Sequence, residues 1–330
     1  MEKSKFKLIK MLIHDIPRVK KIVRNSHAVS MPLTALDQDG LMVTEGKLVK
    51  AIIWKYWVEH VFQQHGPTDE MPSAPLGYEY FVSGHHKNFG DVRSQMEQPL
   101  QLSELKAAAA KLNKKGTSLD VPAVMITRIQ GSTLEAFQTV FNASFLHNQN
   151  MSLALHILVA MLPKSLDMTN EKKRRPIGLC SMFRRWLMLT VCCRLTKVSK
   201  HFELIHPAAF GFVEDLSVHD VIYPIQAFRD WSLYHRTPLY ILWLDAFKAF
   251  DSMHWGALFA YLRHCGMDRL ALFFFTVFMQ ASWTIVTGHG LTEPFSPTNG
   301  GPQGCPSTCP CYILSLSPLM FKLDHLSFQF

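Results

Sequence analysis

The amino-acid sequence predicts a mixed α+β fold, and three observations carry that reading. Helical patterns dominate the residues before position 238. A short run of β-branched, aromatic and Leu residues at 239–244 then has the length and composition of a buried strand. Two more helical stretches follow, leading into a hairpin signal around Gly288 and Gly290. Helices, then a strand, two helices and a hairpin, argue against a doubly wound parallel sheet. Of the 330 residues, 48 % are hydrophobic, which excludes a mostly disordered chain and suffices for about two domains.

The elements can be justified in order. In residues 46–65, Val49, Ile52, Ile53, Trp57 and Val61 fall near one face of an amphipathic helix. Residues 66–77 are rich in Pro and Gly and form the clearest linker. Residues 103–116 contain strong helix formers, with Ser103 as N-cap candidate and Gly116 as a stop. Residues 132–149 and 179–203 read as further helices, as do 254–265 and 268–280. Residues 282–295 read as two short strands, 300–304 as a turn, and 311–323 as a final helix.

The chain carries 34 Lys and Arg against 26 Asp and Glu, and the surplus is concentrated. Residues 1–25 hold eight basic residues against Glu2 and Asp15, and residues 171–200 hold nine against Glu171. Two basic patches on a mildly acidic body are the electrostatic footprint of nucleic-acid binding. The longest apolar run, 271–286, has 16 residues and is interrupted by Thr276, Gln280, Ser282 and Thr284. A membrane span needs roughly 20 residues, so none is expected. The N-terminus has no continuous apolar stretch or cleavage site of a secretory signal. These features place the chain in nucleus or cytoplasm, with its seven Cys reduced and no disulfide-linked partner. Cys305, Cys309, Cys311 and His289 lack the spacing of a zinc site.

Asp245 ends the apolar run 239–244, and Asp251 follows. A strand-end carboxylate is costly to bury without a partner, and a divalent metal is one such partner. The segment LWLDAFKAFDSMHW, followed by GGPQGCPSTCP, resembles the reverse transcriptase domain of non-LTR (LINE-type) retrotransposons. The family has L-D-x-x-K-A-F-D-x-V at the first position and Q-G-C-P-L-S-P at the second. IHPAAFGFVEDLSVHDVI at 205–222, Pro163-Lys164, and Arg174 to Ile177 (R-R-P-I) are similar to further family elements. So are the stretches at 103–126 and 36–62. The resemblance covers roughly residues 35–330.

The resemblance implies a right-hand polymerase fold and RNA-templated DNA synthesis with two Mg²⁺ ions. The partners would be an RNA template, a DNA primer and a deoxynucleoside triphosphate. It implies a helical N-terminal extension at 1–100, fingers at 101–235 and a partial palm at 236–330. Asp245 would be the catalytic metal-binding carboxylate, and the carbonyl of Ala246 would add an oxygen. Phe250 would be the steric gate that rejects a ribose 2′ hydroxyl. Gln303 and Gly304 would line the nucleotide pocket, and Lys164 and Arg175 would hold the triphosphate. Lys172, Lys173, Arg174, Arg184 and Arg185 would meet template or primer phosphates.

The chain departs from the family pattern in places. The (Y/F)-A-D-D hairpin that supplies the other carboxylates has no counterpart, and the expected palm stops before it, with the thumb absent. Leu216 replaces an Arg, Glu214-Asp215 replaces x-Gly, and Cys309 replaces a Pro. The expectation is therefore a C-terminally truncated reverse transcriptase that is inactive alone. The alternative is a non-catalytic RNA-binding remnant or a co-opted retroelement protein. A partial palm would also leave the backbone of 239–244 as an unpaired edge.

Overall fold

The computed structural model describes residues 34–63, 70–82, 89–112, 120–149, 155–164 and 170–327. The basic window at 1–25, part of the 66–77 linker, and Gly116 lie outside the described residues. The fold is mixed helix and sheet.

The first described helix, α1 (Gly46–Ile53), continues into a π-helical stretch at Trp54–Phe62. Val49, Ile53, Trp57 and Val61 are buried, as their spacing predicts, and Ile52 is half-buried. A short strand pair, β1 (Ala35–Leu36) and β2 (Met42–Val43), precedes it. Short helices follow at α2 (Tyr78–Val82) and α3 (Gly90–Met96).

Helix α4 spans Leu102–Lys111. Its cap is Gln101 rather than Ser103. Gln101 and Glu104 exchange side-chain and backbone bonds in a capping box, leaving Ser103 in the first turn. After the short α5 (Ala123–Ile126) come α6 (Gly131–His147) and α7 (Met182–His201), both close to their expected bounds. Helix α7 is opened by the Ser181 hydroxyl, which accepts from Phe183 N, and by Asp120, which accepts from Met182 N.

Between them lies a hairpin that helical periodicity does not reveal. Strand β3 (His156–Pro163) pairs antiparallel with β4 (Arg174–Cys180), with Leu162 opposite Arg175 and Pro163 opposite Arg174. Strand β3 also pairs parallel with β5 (Ser282–Thr287), and β5 with β6 (Gly290–Leu291) antiparallel. The sheet order is β4-β3-β5-β6. Both edges of β3 are taken, so it reads as a continuous apolar run rather than an alternating one.

The residues from 46 to 62 are pinned to this sheet by aromatic packing. Phe62 meets Trp283 of β5 at 5.0 Å and Phe295 at 5.9 Å between ring centres. Helices α9 (Trp255–His264) and α10 (Asp268–Met279) match expectation, and α11 (Thr308–Ser327) closes the described chain.

One strand expectation is corrected by the structure. Residues 239–245 make no strand pair and lie open to solvent, with Leu242 82 % and Leu244 84 % exposed. The preceding helix α8 (His219–His235) buries none of its residues. A strand needs a neighbour for its amides, and no described strand offers one to this segment. Instead of the edge of a sheet, 239–244 is an exposed, uncharged run of apolar side chains outside any strand, the profile of an aggregation hazard. Leu242→Lys with Leu244→Lys should lower self-association in light scattering and leave the melting temperature unchanged, because neither side chain is packed. A fall of several degrees would show that the segment contributes to the fold.

Candidate active site

The site is assembled where the 250–255 segment, the 299–304 turn and β4 meet. Asp251 is only 2 % exposed, and both carboxylate oxygens accept from the Gln303 amide, at 2.8 and 2.9 Å. The backbone around the pair is interlocked. Asn299 donates its amide to the Asp251 carbonyl and to the Val61 carbonyl. Gly301 N donates to Phe250 O, and Trp255 Nε1 donates to Gly300 O.

Two glycines make the approach possible. Gly300 has φ +78°, and a Cβ there would sit 2.2 Å from the Asp251 carbonyl oxygen. Gly304 has φ +101°, with its Cβ position 3.3 Å from Gly178 O. Gln303 O accepts from Gly178 N at 2.7 Å, which ties the turn to β4.

Lys248 is the second anchor. Its ammonium donates to the carbonyls of Lys172 and Arg174, both at 3.1 Å, and lies 4.1 Å from the centre of the Trp57 ring. Its backbone is left-handed, φ 48°, an uncommon state that these contacts hold in place. Burial pushes the ammonium down to about 8, and neighbouring Lys164 pushes the same way; Asp251 and Glu171 oppose. Glu171 in turn accepts from Trp57 Nε1 and from Arg174 Nε. Burial still raises its carboxyl above the ordinary range, against the pull of Arg174.

The structure divides the expected site residues. Gln303 and Gly304 lie beside β4, and Lys164 is near enough to Asp251 and Lys248 to act on both charges. Lys164 N donates to Lys173 O, so Lys164, Lys172, Lys173 and Arg175 gather at one end of the β3–β4 hairpin, all exposed. Phe250 is half-buried between the rings of Phe212 and Tyr312, at 5.5 and 5.2 Å. Asp245 and Ala246 are exposed in the unpaired stretch, and Asp245 is close enough to Tyr312 to raise that phenol, after burial.

The expected phosphate-binding residues are corrected in part. Arg174 and Arg184 are each 1 % exposed. Arg174 is paired with Glu171, and Arg184 is packed inside α7 against the turn. Neither guanidinium reaches the surface in this fold, and Arg185 is half-buried. Arg194, from the same basic window, is also buried and binds Glu104 and three carbonyls. The window of nine bases is therefore partly interior charge. Asp251 and Lys248 are the site residues to which sequence reasoning assigns no role, although both stand in the F-K-A-F-D wording itself.

A divalent ion needs several hard oxygens converging on one point. Asp245 stands in an open stretch, and both oxygens of Asp251 are engaged by Gln303. Among the described residues no group of three His, Cys, Asp or Glu side chains could hold an ion. The donor set does not fit the pair of metals that the resemblance implies.

Burial raises the Asp251 carboxyl from 3.8 to about 6, with Gln303, Lys248 and Lys164 pulling it back. The folded chain therefore binds this proton more tightly than the unfolded chain. Its stabilising effect is complete below about pH 4 and is lost as pH rises through about 6. Urea unfolding of wild type and Asp251→Asn between pH 4 and 7 should show wild type gaining on the variant as pH falls, by up to about 3 kcal/mol. A constant difference across that window would contradict a buried, proton-hungry carboxylate.

Comparison with known proteins places the chain in a family. The family model described as reverse transcriptase (RNA-dependent DNA polymerase) matches residues 163–328, half of the chain, from the Lys164 end of β3 through α11. The chain is also similar to the "Transposon TX1 uncharacterized 149 kDa protein" of Xenopus laevis. The two are 24 % identical over 234 residues, covering 70 % of this chain and 18 % of that protein. The chain thus corresponds to less than a fifth of this relative's length. On the family match and the site it spans, the chain belongs to the reverse transcriptase family.

Proposed function

We propose that this chain is the nucleic-acid-holding part of a LINE-type reverse transcriptase, with no DNA synthesis of its own. Residues 101–235 correspond in this reading to fingers and 236–330 to palm, with residues 1–100 a helical extension. The observation that carries the reading is the exposed basic end of the β3–β4 hairpin, formed by Lys164, Lys172, Lys173 and Arg175 beside the Gln303 turn. Four cations around a glycine turn suit phosphates, which they would bind through charge and donor geometry. RNA template, DNA primer and the triphosphate of an incoming nucleotide all present that chemistry.

Phe250 supports the gate reading by its place. It is fixed by two rings and its carbonyl is held by Gly301, one residue from the Asp251–Gln303 link. Synthesis itself requires two metals held by several carboxylates. Asp245 alone cannot hold them, and Asp251 is committed to Gln303. The reading therefore favours binding without catalysis.

Binding of an RNA–DNA hybrid should weaken steeply with salt. Lys172→Ala with Lys173→Ala should lower affinity and make the logarithmic salt dependence shallower, by roughly one unit of slope for each lysine removed. Asp245→Ala should leave binding unchanged. In a primer-extension assay with an RNA template and Mg²⁺, the chain should yield no product. Robust synthesis that disappears in Asp245→Ala would overturn the reading.

A further inference from the structure

The loop before α8 carries an aromatic residue that the proposed function does not use. Phe212 has a left-handed backbone, φ 60°, a conformation that a bulky side chain rarely adopts. Asp215, three residues on, is also left-handed, at φ 69°. Backbone strain of this kind persists only where the surrounding structure imposes it, and it gathers at ligand sites. The loop is linked to two helices. Glu214 lies 3.9 Å from the Lys111 ammonium of α4, and Asp215 lies 3.6 Å from that of Lys200 in α7. Exposed pairs such as these fix where the loop lies more than they stabilise the fold.

In this conformation the Phe212 ring stands against Phe250, with centres 5.5 Å apart and planes at 68°. Phe250 stands in the same way against Tyr312 of α11, at 5.2 Å and 69°. Three rings thus run edge to face from α11 to the surface. Tyr312 and Phe250 are half-buried, whereas Phe212, at the outer end, is 68 % exposed. At that exposure at least one face of its ring is open to solvent. The row also adjoins the basic hairpin end. Lys248, two residues before Phe250, donates to the carbonyls of Lys172 and Arg174, and Phe250 O accepts from Gly301 N in the Gln303 turn. Cations that track a phosphate backbone, beside an open ring, are the combination that holds a single strand, because every base has a π-face to stack.

We propose that Phe212 is a stacking residue for an unpaired nucleobase, in the strand whose phosphates lie on the hairpin end at Lys172 and Lys173. The inference rests on the nucleic-acid-holding reading and adds a base contact to its phosphate contacts. Stacking is tolerant of sequence, so the contact distinguishes unpaired from paired bases rather than one base from another.

The full chain is titrated with a single-stranded RNA containing 2-aminopurine, whose fluorescence is quenched when the base stacks, and with an abasic strand of the same length. Wild type should quench the fluorescence. Phe212→Ala should lose the quenching and bind the base-bearing strand about tenfold more weakly, with its affinity for the abasic strand and its salt slope unchanged. Phe212→Trp should keep the quenching. Phe212→Gly should melt above Phe212→Ala, because glycine accepts the left-handed backbone, yet bind as weakly, which separates the ring's contact from its part in the fold. Unchanged quenching and affinity in Phe212→Ala would overturn the proposal while phosphate holding stands, as the salt slope of Lys172→Ala with Lys173→Ala reports. Equal loss of both strands would also overturn it, since the ring would then serve the fold alone. So would quenching of free 2-aminopurine nucleoside triphosphate without quenching of the strand. Failure of wild type to bind either strand would overturn the underlying reading as well.

Discussion

The bond between the buried Asp251 carboxylate and the Gln303 amide is the constraint on which the rest of the site depends. Asp251 carries a desolvation penalty that only well-directed donors offset. Gln303 meets both oxygens, at 2.8 and 2.9 Å, and can do so only because Gly300 lets its turn touch the Asp251 backbone. The same turn reaches β4 through Gly178, so one carboxylate sets the distance between the 250–255 segment and the sheet. Expected pocket residues Gln303 and Gly304 owe their position to this link. Asp245, six residues upstream, lies beyond its reach and stands in the open.

A second layer of buried charge holds the other side. Lys248 reaches across to the Lys172 and Arg174 carbonyls while its cation rests on Trp57. Trp57 and Arg174 meet again on Glu171. Pairs of this kind bring modest net stability, because desolvation offsets most of the attraction, but losing one partner strands the other. They therefore specify geometry: residues 54–62, the turn at 171–174 and the 248–251 segment must arrive together. The exposed bases of the hairpin end are displayed by that same framework.

Much of this is legible from residues alone. Apolar spacing places α1, and α6, α7, α9 and α10 fall close to the stretches read as helical. Gly-rich punctuation places the 300–304 turn. The hairpin of β3 and β4 escapes because a strand paired on both sides shows no alternation, and HILVAMLP between 156 and 163 can be read either way. The 239–245 segment has the composition of a strand, but no described strand pairs with it. Ser103 yields the capping role to Gln101, whose partner Glu104 reaches back. Arg174 and Arg184 show the limit of counting charges: a basic window says how many cations are present, and only packing tells which face water. Asp251 is visible in the motif, yet its burial and its pairing with Gln303 are tertiary facts.

A double-mutant cycle between Asp251→Ala and Gln303→Ala tests the central claim most directly, with unfolding free energy measured at pH 7 for all four proteins. If the two side chains form one buried unit, the losses are non-additive, with a coupling of about 1–3 kcal/mol. Strict additivity would contradict the account, because it would mean that Asp251 and Gln303 are held by the fold independently of each other.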